Sequence, residues 1–326
     1  MFLVMLVHSM EGSLGRPNMA ELMSNPLDVL CRVNLETIGL VCVNVFVLIS
    51  GWFGIRPTLK SATKFIFQCA FMAIVIVAFI ALSHSELSLR TLVKDLCSPK
   101  NWWFVYAYFT LYIVSPILNA FVENTDRKVF RNTLIVFFLY QTIYGFLYDL
   151  PYFAKGYSPL SFIGLYLLAR YIHKYEPKFS QISRKTCGGI YMGVSVGVSL
   201  LMCLCLWILP WHGLVCRLFD WYACYTSPLN ILASVMLLLC FSKIHFQSKL
   251  INSIAASSFA VYLIHNHPVI HHGYFKPFVI WLHQTHSLGV FLVELFIFLT
   301  VVFLFCVLVD KVRVYAYNKI SLWLKV

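Results

Sequence analysis

The sequence has few charged residues. Asp, Glu, Lys and Arg make up 12% of the 326 residues, whereas apolar residues make up 60%. This charged share is about half that of an ordinary soluble domain. A water-soluble surface cannot be built from such a composition, so the sequence predicts an integral membrane protein.

Several other features are missing. The chain has no long polar or Gly/Ser-rich stretch, no internal repeat and no C-x-x-C pair among its 11 cysteines. We therefore expect residues 1–326 to form a single integral membrane domain. The basic residues are scattered through short loops and do not form a stripe with stacking aromatics, which argues against a nucleic-acid partner and for membrane lipid.

Long apolar runs are abundant. Seven are long enough to cross a bilayer as helices, and two shorter runs flank a turn that contains Pro151. The seven are Leu35–Phe53, Phe65–Leu82, Trp102–Val122, Gly188–Leu209, Tyr225–Phe241, Ile251–Ile270 and Ser287–Val309; the two are Leu134–Leu147 and Tyr157–Tyr171.

The segment Met1–Val7 is apolar but too short to span, and it lacks the basic flank and cleavage site of a signal peptide. We interpret it as the last turns of a first helix whose beginning is missing. The sequence therefore predicts an all-α, polytopic transmembrane helix bundle of about ten spans, the first incomplete.

The distribution of Lys and Arg predicts the orientation. Alternate loops hold 17 of these residues on one side and 8 on the other. Because cytoplasmic loops are enriched in basic residues, the richer side is predicted to be cytoplasmic. Both termini then lie in the cytoplasm.

Two polar residues lie where hydrocarbon would not tolerate them without a reason. His8 follows the run MFLVMLV, and Glu294 lies inside VFLVELFIFL. A neutral imidazole at His8 could act as a general base toward a hydroxyl, the alternative being an interfacial histidine satisfied by water or a carbonyl. Glu294 must face the bundle interior, be paired or be protonated, and a structural ion pair is the alternative to a functional role.

Four further histidines, His265, His267, His271 and His272, gather at the predicted outer end of the ninth span. The spacing of His267 and His271 would suit a metal on a continuous helix. Pro268 stands between them and no carboxylate or cysteine completes a ligand set, so we expect no metal site.

On the predicted inner face, Arg56, Lys60 and Lys64 recur every four residues. They would share one side of a helix that began early and could then hold the phosphates of a cytosolic donor. The alternative is ordinary anchoring of the inner face to anionic lipid.

Four blocks in order along the chain resemble those of the acyltransferase family 3 membrane proteins. They are NVFVLISGWF (Asn44–Phe53), NWWFVYAYFTLYIVSPILN (Asn101–Asn119), GYSPLSFIGLYLLARYIH (Gly156–His173) and SSFAVYLIHNHPVIH (Ser257–His271). The resemblance covers nearly the whole chain and implies about ten spans. It also implies transfer of an acyl group, often acetyl, from acyl-CoA to a hydroxyl of a carbohydrate or lipid-linked glycan.

For individual residues, the resemblance implies that His8 is the catalytic histidine and that Arg56, Lys60 and Lys64 loosely match the family's basic pair, which binds acyl-CoA. His265 fits the family's Tyr-Leu-Ile-His block, so His265 and Glu294 are possible supporting residues. Acyl-CoA, most simply acetyl-CoA, would be a co-substrate, with no bound cofactor.

The expected protein is thus an O-acetyltransferase of cell-envelope polysaccharide in the bacterial inner membrane. The resemblance leaves open direct transfer and an acyl-enzyme intermediate. The family's Arg about ten residues before the histidine has no counterpart here, since only seven residues precede His8, and we interpret this as a misplaced start. The alternative functions are a polytopic transporter or glycan flippase, and an interaction protein without catalysis.

Overall fold

The computed structural model describes residues 1–83, 102–208 and 212–324, with the backbone only for 212–216 and 321–324. Asn101 and Leu209, which border two predicted segments, lie outside this part. The described secondary structure is helical throughout, which confirms the predicted all-α class. The helices are α1 (Phe2–Ser9), α2 (Met19–Ser24), α3 (Pro26–Gly39), α4 (Cys42–Phe53), α5 (Leu59–Ser83), α6 (Trp103–Asn124), α7 (Arg127–Tyr140), α8 (Pro159–Tyr175), α9 (Arg184–Ile208), α10 (His212–Ala223), α11 (Pro228–Ser242), α12 (Lys249–Ser257), α13 (Phe259–His265), α14 (Lys276–Thr285) and α15 (Leu288–Leu324).

Short irregular helical segments join some of these helices. Wider π-helical turns follow α1 (Met10–Leu14), follow α7 (Gln141–Leu147) and precede α14 (His271–Phe275), while Pro268–Ile270 forms a single helical turn. Such π segments are rare and occur often at functional sites. Two of the three adjoin the histidines that the sequence singled out.

Six helical segments within the described residues are long and apolar enough to cross a membrane. They are Pro26–Phe53, Leu59–Ser83, Trp103–Asn124, Arg184–Ile208, Arg217–Ser242 and Leu288–Ile320, and Phe2–Leu14 is a shorter apolar helix. The chain is therefore an integral membrane protein. The count of ten spans stays a prediction.

The helices group into two compact units. The first comprises Met1–Leu14, Pro57–Trp103 and Phe246–Val326. In it α13 packs against α5 and α15, and α1 packs against α13 and α15. Met5, Ile76, Leu263 and Leu295 are almost completely buried at these contacts, so α1 is held by apolar packing immediately before His8.

A buried polar cluster ties α5 to α15 within this unit. Arg313 donates to both carboxylate oxygens of Asp310, at 2.9 and 2.8 Å, and Gln68 donates to Asp310 Oδ1 at 3.0 Å. Both members of the ion pair are buried. Since a buried carboxylate is tolerated only when it is paired and hydrogen-bonded, these contacts fix where the two helices meet.

The second unit comprises Gly15–Arg56 and Phe104–His245. Here α4 packs against α8 and α11, while α9 packs against α3 and α11. A Cβ atom on Gly51 would stand 2.5 Å from the carbonyl oxygen of Tyr166 and 2.9 Å from Cβ of Ala169. Only glycine therefore permits the close approach of α4 to α8.

Asn44 explains the polar residue within the apolar run of α4. Its side chain is fully buried and donates to the carbonyl oxygen of Tyr225 at 3.0 Å and to Oδ1 of Asn230 at 3.3 Å. Asn230 belongs to α11, and Tyr225 lies in the segment just before that helix. Asn44 is thus a structural residue that holds α4 in place.

Candidate active site

Three histidines of the first unit meet at the end of α1. His8 lies in the last turn of α1, His265 ends α13, and His271 begins the π segment before α14. The ring centroids of His8 and His265 are 5.1 Å apart, and those of His8 and His271 are 5.6 Å apart. His265 is completely buried, whereas His8 is partly exposed. His8 is therefore the most exposed of the three histidines.

The hydrogen bonds of His265 determine which of its nitrogens carries the proton. Its Nδ1 contacts the carbonyl oxygen of Val261. A carbonyl oxygen only accepts, so Nδ1 is the donor, and Nε2 of the neutral ring keeps its lone pair. The 3.0 Å contact between Nε2 of His265 and Nδ1 of His8 then requires that His8 be the donor.

It follows that His8 carries its proton on Nδ1 and has its lone pair on Nε2. A neutral imidazole in this tautomer is ready to accept a proton at Nε2. The hydrogen bonds from Val261 through His265 to His8 resemble those of a catalytic triad, in which a carboxylate orients the catalytic histidine. Here a second histidine, His265, takes the place of the carboxylate.

Two local features position His8 on its helix. Ser13 donates from its hydroxyl to the carbonyl oxygen of His8 at 2.7 Å, across the π turn. Ser9 donates to the carbonyl oxygen of Met5 at 2.8 Å. These serines satisfy carbonyls where the regular α-helical pattern ends, so the backbone at His8 is fixed from both sides.

The other histidines of the ninth predicted span lie on a broken helix. α13 ends at His265, and Pro268 opens the next helical turn, so His267 and His271 do not share one continuous helix face. Burial and the neighbouring His272 lower the pKa of His271 below its ordinary value. Burial thus disfavours the charged form of His271, whose ring packs against that of His8.

An apolar cavity of about 570 Å³ adjoins this cluster. Its walls come from α5, α13, the π segment before α14, and α15, and include Ile76, Phe79, Phe275 and Phe298. His265 lines the same cavity. The cluster therefore has an apolar side, on which electrostatic interactions of the imidazoles are screened weakly.

Glu294 lies apart from the hydrogen-bonded pair. Its carboxylate contacts Nδ1 of His286 at 3.4 Å, and both side chains are partly exposed. His286 follows α14 directly, whereas Glu294 lies in the second turn of α15. The structure thus gives Glu294 an ion-pair partner just before the start of α15.

The three predicted donor-binding residues do not form one helical row. α5 begins only at Leu59, so Arg56 precedes it, while Lys60 and Lys64 are exposed on its first turns. The sequence explains why the helix begins after Arg56. Pro57 follows Arg56, and a proline disfavours the helical conformation of the residue before it. Arg56 belongs to the second unit and the two lysines to the first.

Sequence reasoning missed the residues that depend on contacts between distant segments. The bond from His8 to His265 joins positions 257 residues apart, and no spacing along the chain predicts it.

The comparisons with known proteins agree with the family expected from the sequence blocks. The sequence model of acyltransferase family 3, described as an acyltransferase domain, matches residues 1–311 of the 326. No curated protein and no solved structure gives a significant match. A match over almost the whole chain leaves little outside the family's domain, and the chain accordingly belongs to acyltransferase family 3.

Proposed function

We propose that this acyltransferase moves an acyl group, in the simplest case acetyl, from acyl-CoA to a hydroxyl of a cell-envelope carbohydrate, with His8 as the general base. The observation that carries the proposal is the 3.0 Å contact between Nδ1 of His8 and Nε2 of His265. With Nδ1 of His265 turned to the Val261 carbonyl, this contact places the lone pair of His8 on Nε2.

The chemistry requires such a base. A sugar hydroxyl is a weak nucleophile until its proton is removed during attack. Nε2 of His8 takes that proton as the hydroxyl oxygen bonds to the thioester carbonyl carbon. The carbon–sulfur bond then breaks, the CoA thiolate leaves, and His8 returns the proton to the sulfur, so an ester and CoA are formed and the enzyme is unchanged.

His265 acts in this scheme as a positioning residue. While His8 is protonated, its Nδ1–H group donates to the neutral Nε2 of His265, which spreads and stabilises the positive charge. Between turnovers the same bond holds His8 in the tautomer that accepts at Nε2. A buried neutral partner provides orientation without placing a second permanent charge in the membrane.

The family resemblance and the membrane setting support this choice of donor and acceptor. Acyl-CoA is a cytosolic co-substrate, and a carbohydrate or lipid-linked glycan is the acceptor; no bound cofactor is needed for this reaction. We place the protein in the bacterial inner membrane with both termini in the cytoplasm, because the basic residues favour that orientation.

The test is acyl transfer by the purified protein in lipid nanodiscs, supplied with radiolabelled acetyl-CoA and a panel of glycans. Release of free CoA and label on the glycan should appear together. His8→Ala should lower the rate of transfer at least about 100-fold, which is the low end of what a general base contributes.

The matched control is His245→Ala. His245 is an exposed histidine of the second unit, and its replacement should leave the rate unchanged. Acyl transfer by the His8→Ala variant at the wild-type rate would refute the assignment of His8 as the general base. Glycan movement across a vesicle membrane without any acyl transfer would instead support the flippase alternative.

A further inference from the structure

The cavity beside the histidine cluster is lined almost entirely by hydrocarbon. Apart from His265, Tyr274 and Cys306, its described lining residues are valine, isoleucine, phenylalanine and glycine, and none of those described is an acid, a lysine or an arginine. A sugar or a phosphate placed there would lose its hydrogen bonds to water without finding new partners. The cavity therefore suits the hydrocarbon part of a substrate.

One face of α15 gives the cavity its length. The residues of this helix that line it are Phe298, Val302, Phe305, Cys306 and Val309. Their spacing places them on one side of the helix, and the distance along the axis from the first to the last is about 16 Å. With a volume of about 570 Å³, the cavity is much larger than the single methyl group of acetyl and has the size of a pocket for a whole small molecule.

The cavity shares a wall with the histidine cluster. Phe275 lines the cavity, and its ring centroid lies 5.7 Å from that of His265 and 5.5 Å from that of His271. His265 lines the cavity as well, and its Nε2 contacts Nδ1 of His8 at 3.0 Å. A single side chain, that of His265, thus contacts both the cavity and His8.

Open space lies in front of Gly273. This glycine lines the cavity, and a Cβ atom built on it would meet nothing within 4 Å. The cavity therefore has room for a ligand at this point. A larger side chain at position 273 would fill that room without a clash at its first carbon.

We infer that this cavity holds the alkyl chain of the transferred acyl group, and that the preferred donor carries a chain of medium length, such as octanoyl, rather than acetyl. The inference rests on the proposed function, in which the acyl group is the apolar part of the substrates that must lie at His8 during transfer. The first carbons of the chain pass His265, and the remaining ones enter the cavity. The bonds that form and break are the same as for acetyl.

The test compares acetyl-CoA, hexanoyl-CoA and octanoyl-CoA as donors for the purified protein in nanodiscs. Moving one methylene group from water to an apolar site favours binding by a factor of about four. Only the methylene groups that reach the cavity contribute, so we expect kcat/KM for octanoyl-CoA to exceed that for acetyl-CoA at least about tenfold.

Gly273→Leu places a side chain in the cavity. It should lower kcat/KM for octanoyl-CoA about tenfold or more and leave the value for acetyl-CoA unchanged, because the acetyl group stays beside His8. Gly273→Ala, which fills less space, should have a smaller effect on octanoyl-CoA. Unchanged transfer of acetyl shows that each variant is folded.

The matched control is Gly289→Leu. Gly289 lies in α15 of the same unit, a Cβ atom on it would also meet nothing within 4 Å, and it is not among the residues that line the cavity. Its replacement should leave kcat/KM unchanged for all three donors.

Two kinetic results would overturn the inference. One is a wild-type protein that prefers acetyl-CoA or uses the three donors equally, which would leave the proposed function intact. The other is an equal loss for acetyl-CoA and octanoyl-CoA in both Gly273→Leu and Gly273→Ala, because the glycine would then serve only the fold.

Binding tests the inference independently of transfer. Calorimetry without glycan, corrected for octanoyl-CoA taken up by empty nanodiscs, should show tighter binding of octanoyl-CoA than of acetyl-CoA, and Gly273→Leu should remove the difference. This result in a protein that acylates no glycan would support the acyl-chain site and refute the proposed transfer. Equal affinities of the wild-type protein for the two donors would overturn the inference.

A hydrocarbon tail from the bilayer is the competing occupant. Native mass spectrometry would then show a lipid retained by the wild-type protein and lost from Gly273→Leu, while kcat/KM would not depend on the chain length of the donor. If Gly273→Leu instead lowered transfer only to lipid-linked glycans, and did so with every donor, the cavity would hold the tail of the acceptor. Either result would overturn the inference.

Discussion

Replacing His265 with leucine removes the acceptor for Nδ1–H of His8 while keeping an apolar side chain in a fully buried position. His8 is then free to adopt the other neutral tautomer, in which Nε2 carries the proton and cannot act as a base. The imidazolium formed during transfer also loses its hydrogen bond to His265. Both effects act on the transition state.

The size of the effect follows from that bond. A hydrogen bond to a charged group contributes about 1.5–3 kcal/mol, which corresponds to a loss of roughly 10- to 150-fold in rate. This is smaller than the effect of removing an orienting carboxylate, because His265 is neutral. We therefore expect His265→Leu to lower kcat by about one to two orders of magnitude with little change in KM for the glycan.

The assay is steady-state release of CoA at saturating glycan, with His265→Gln as the conservative variant. The amide oxygen of glutamine can accept from His8 in place of Nε2 and should restore most of kcat. A His265→Leu enzyme with wild-type kcat would refute the reasoning. Equal losses in the leucine and glutamine variants, with reduced thermal stability in both, would show that His265 serves only packing.

Two further predictions concern the packing of each unit. Asp310→Asn should destabilise the protein by about 3–5 kcal/mol, because Arg313 is left as an unpaired buried cation. The loss should be visible as a lower midpoint of thermal unfolding in detergent. Replacing both Asp310 and Arg313 by leucine should cost less stability than the single replacement, and the opposite order would contradict the argument. Gly51→Ala should cost about 1–3 kcal/mol in the same assay, because its Cβ would overlap the carbonyl of Tyr166 and separate α4 from α8. The control is Gly197→Ala, whose Cβ would meet nothing within 4 Å. Equal unfolding midpoints for the two glycine variants would refute the close approach of α4 to α8.

The helical class and the membrane setting could be predicted because they depend on local properties. An apolar run long enough for a bilayer is a property of 20 or so consecutive residues, and a helix satisfies its own backbone hydrogen bonds within the same run. Boundaries were less accurate. Arg56 would share a helix face with Lys60 and Lys64 only if that helix began early, whereas Gly54 ends one helix and the next begins at Leu59.

The candidate site was predicted in part. His8 was noticed because a polar residue directly after MFLVMLV is costly in a membrane, and Glu294 for the same reason. The free-energy cost of a polar side chain in the membrane does not show which residue takes part in the reaction and which is held in a structural ion pair. The structure pairs Glu294 with His286 and joins His8 to His265, and neither pairing follows from spacing along the chain.

The sequence by itself determined that the chain is a helical membrane protein and, through its ordered blocks, which family it resembles. Both properties depend on residues that are close together along the chain. Only the tertiary structure decided which nitrogen of His8 carries the lone pair and that Arg170 lies against Gly54. Hydrogen bonds and charges act over a few ångströms in space, so partners far apart in the chain are known only once the helices have packed.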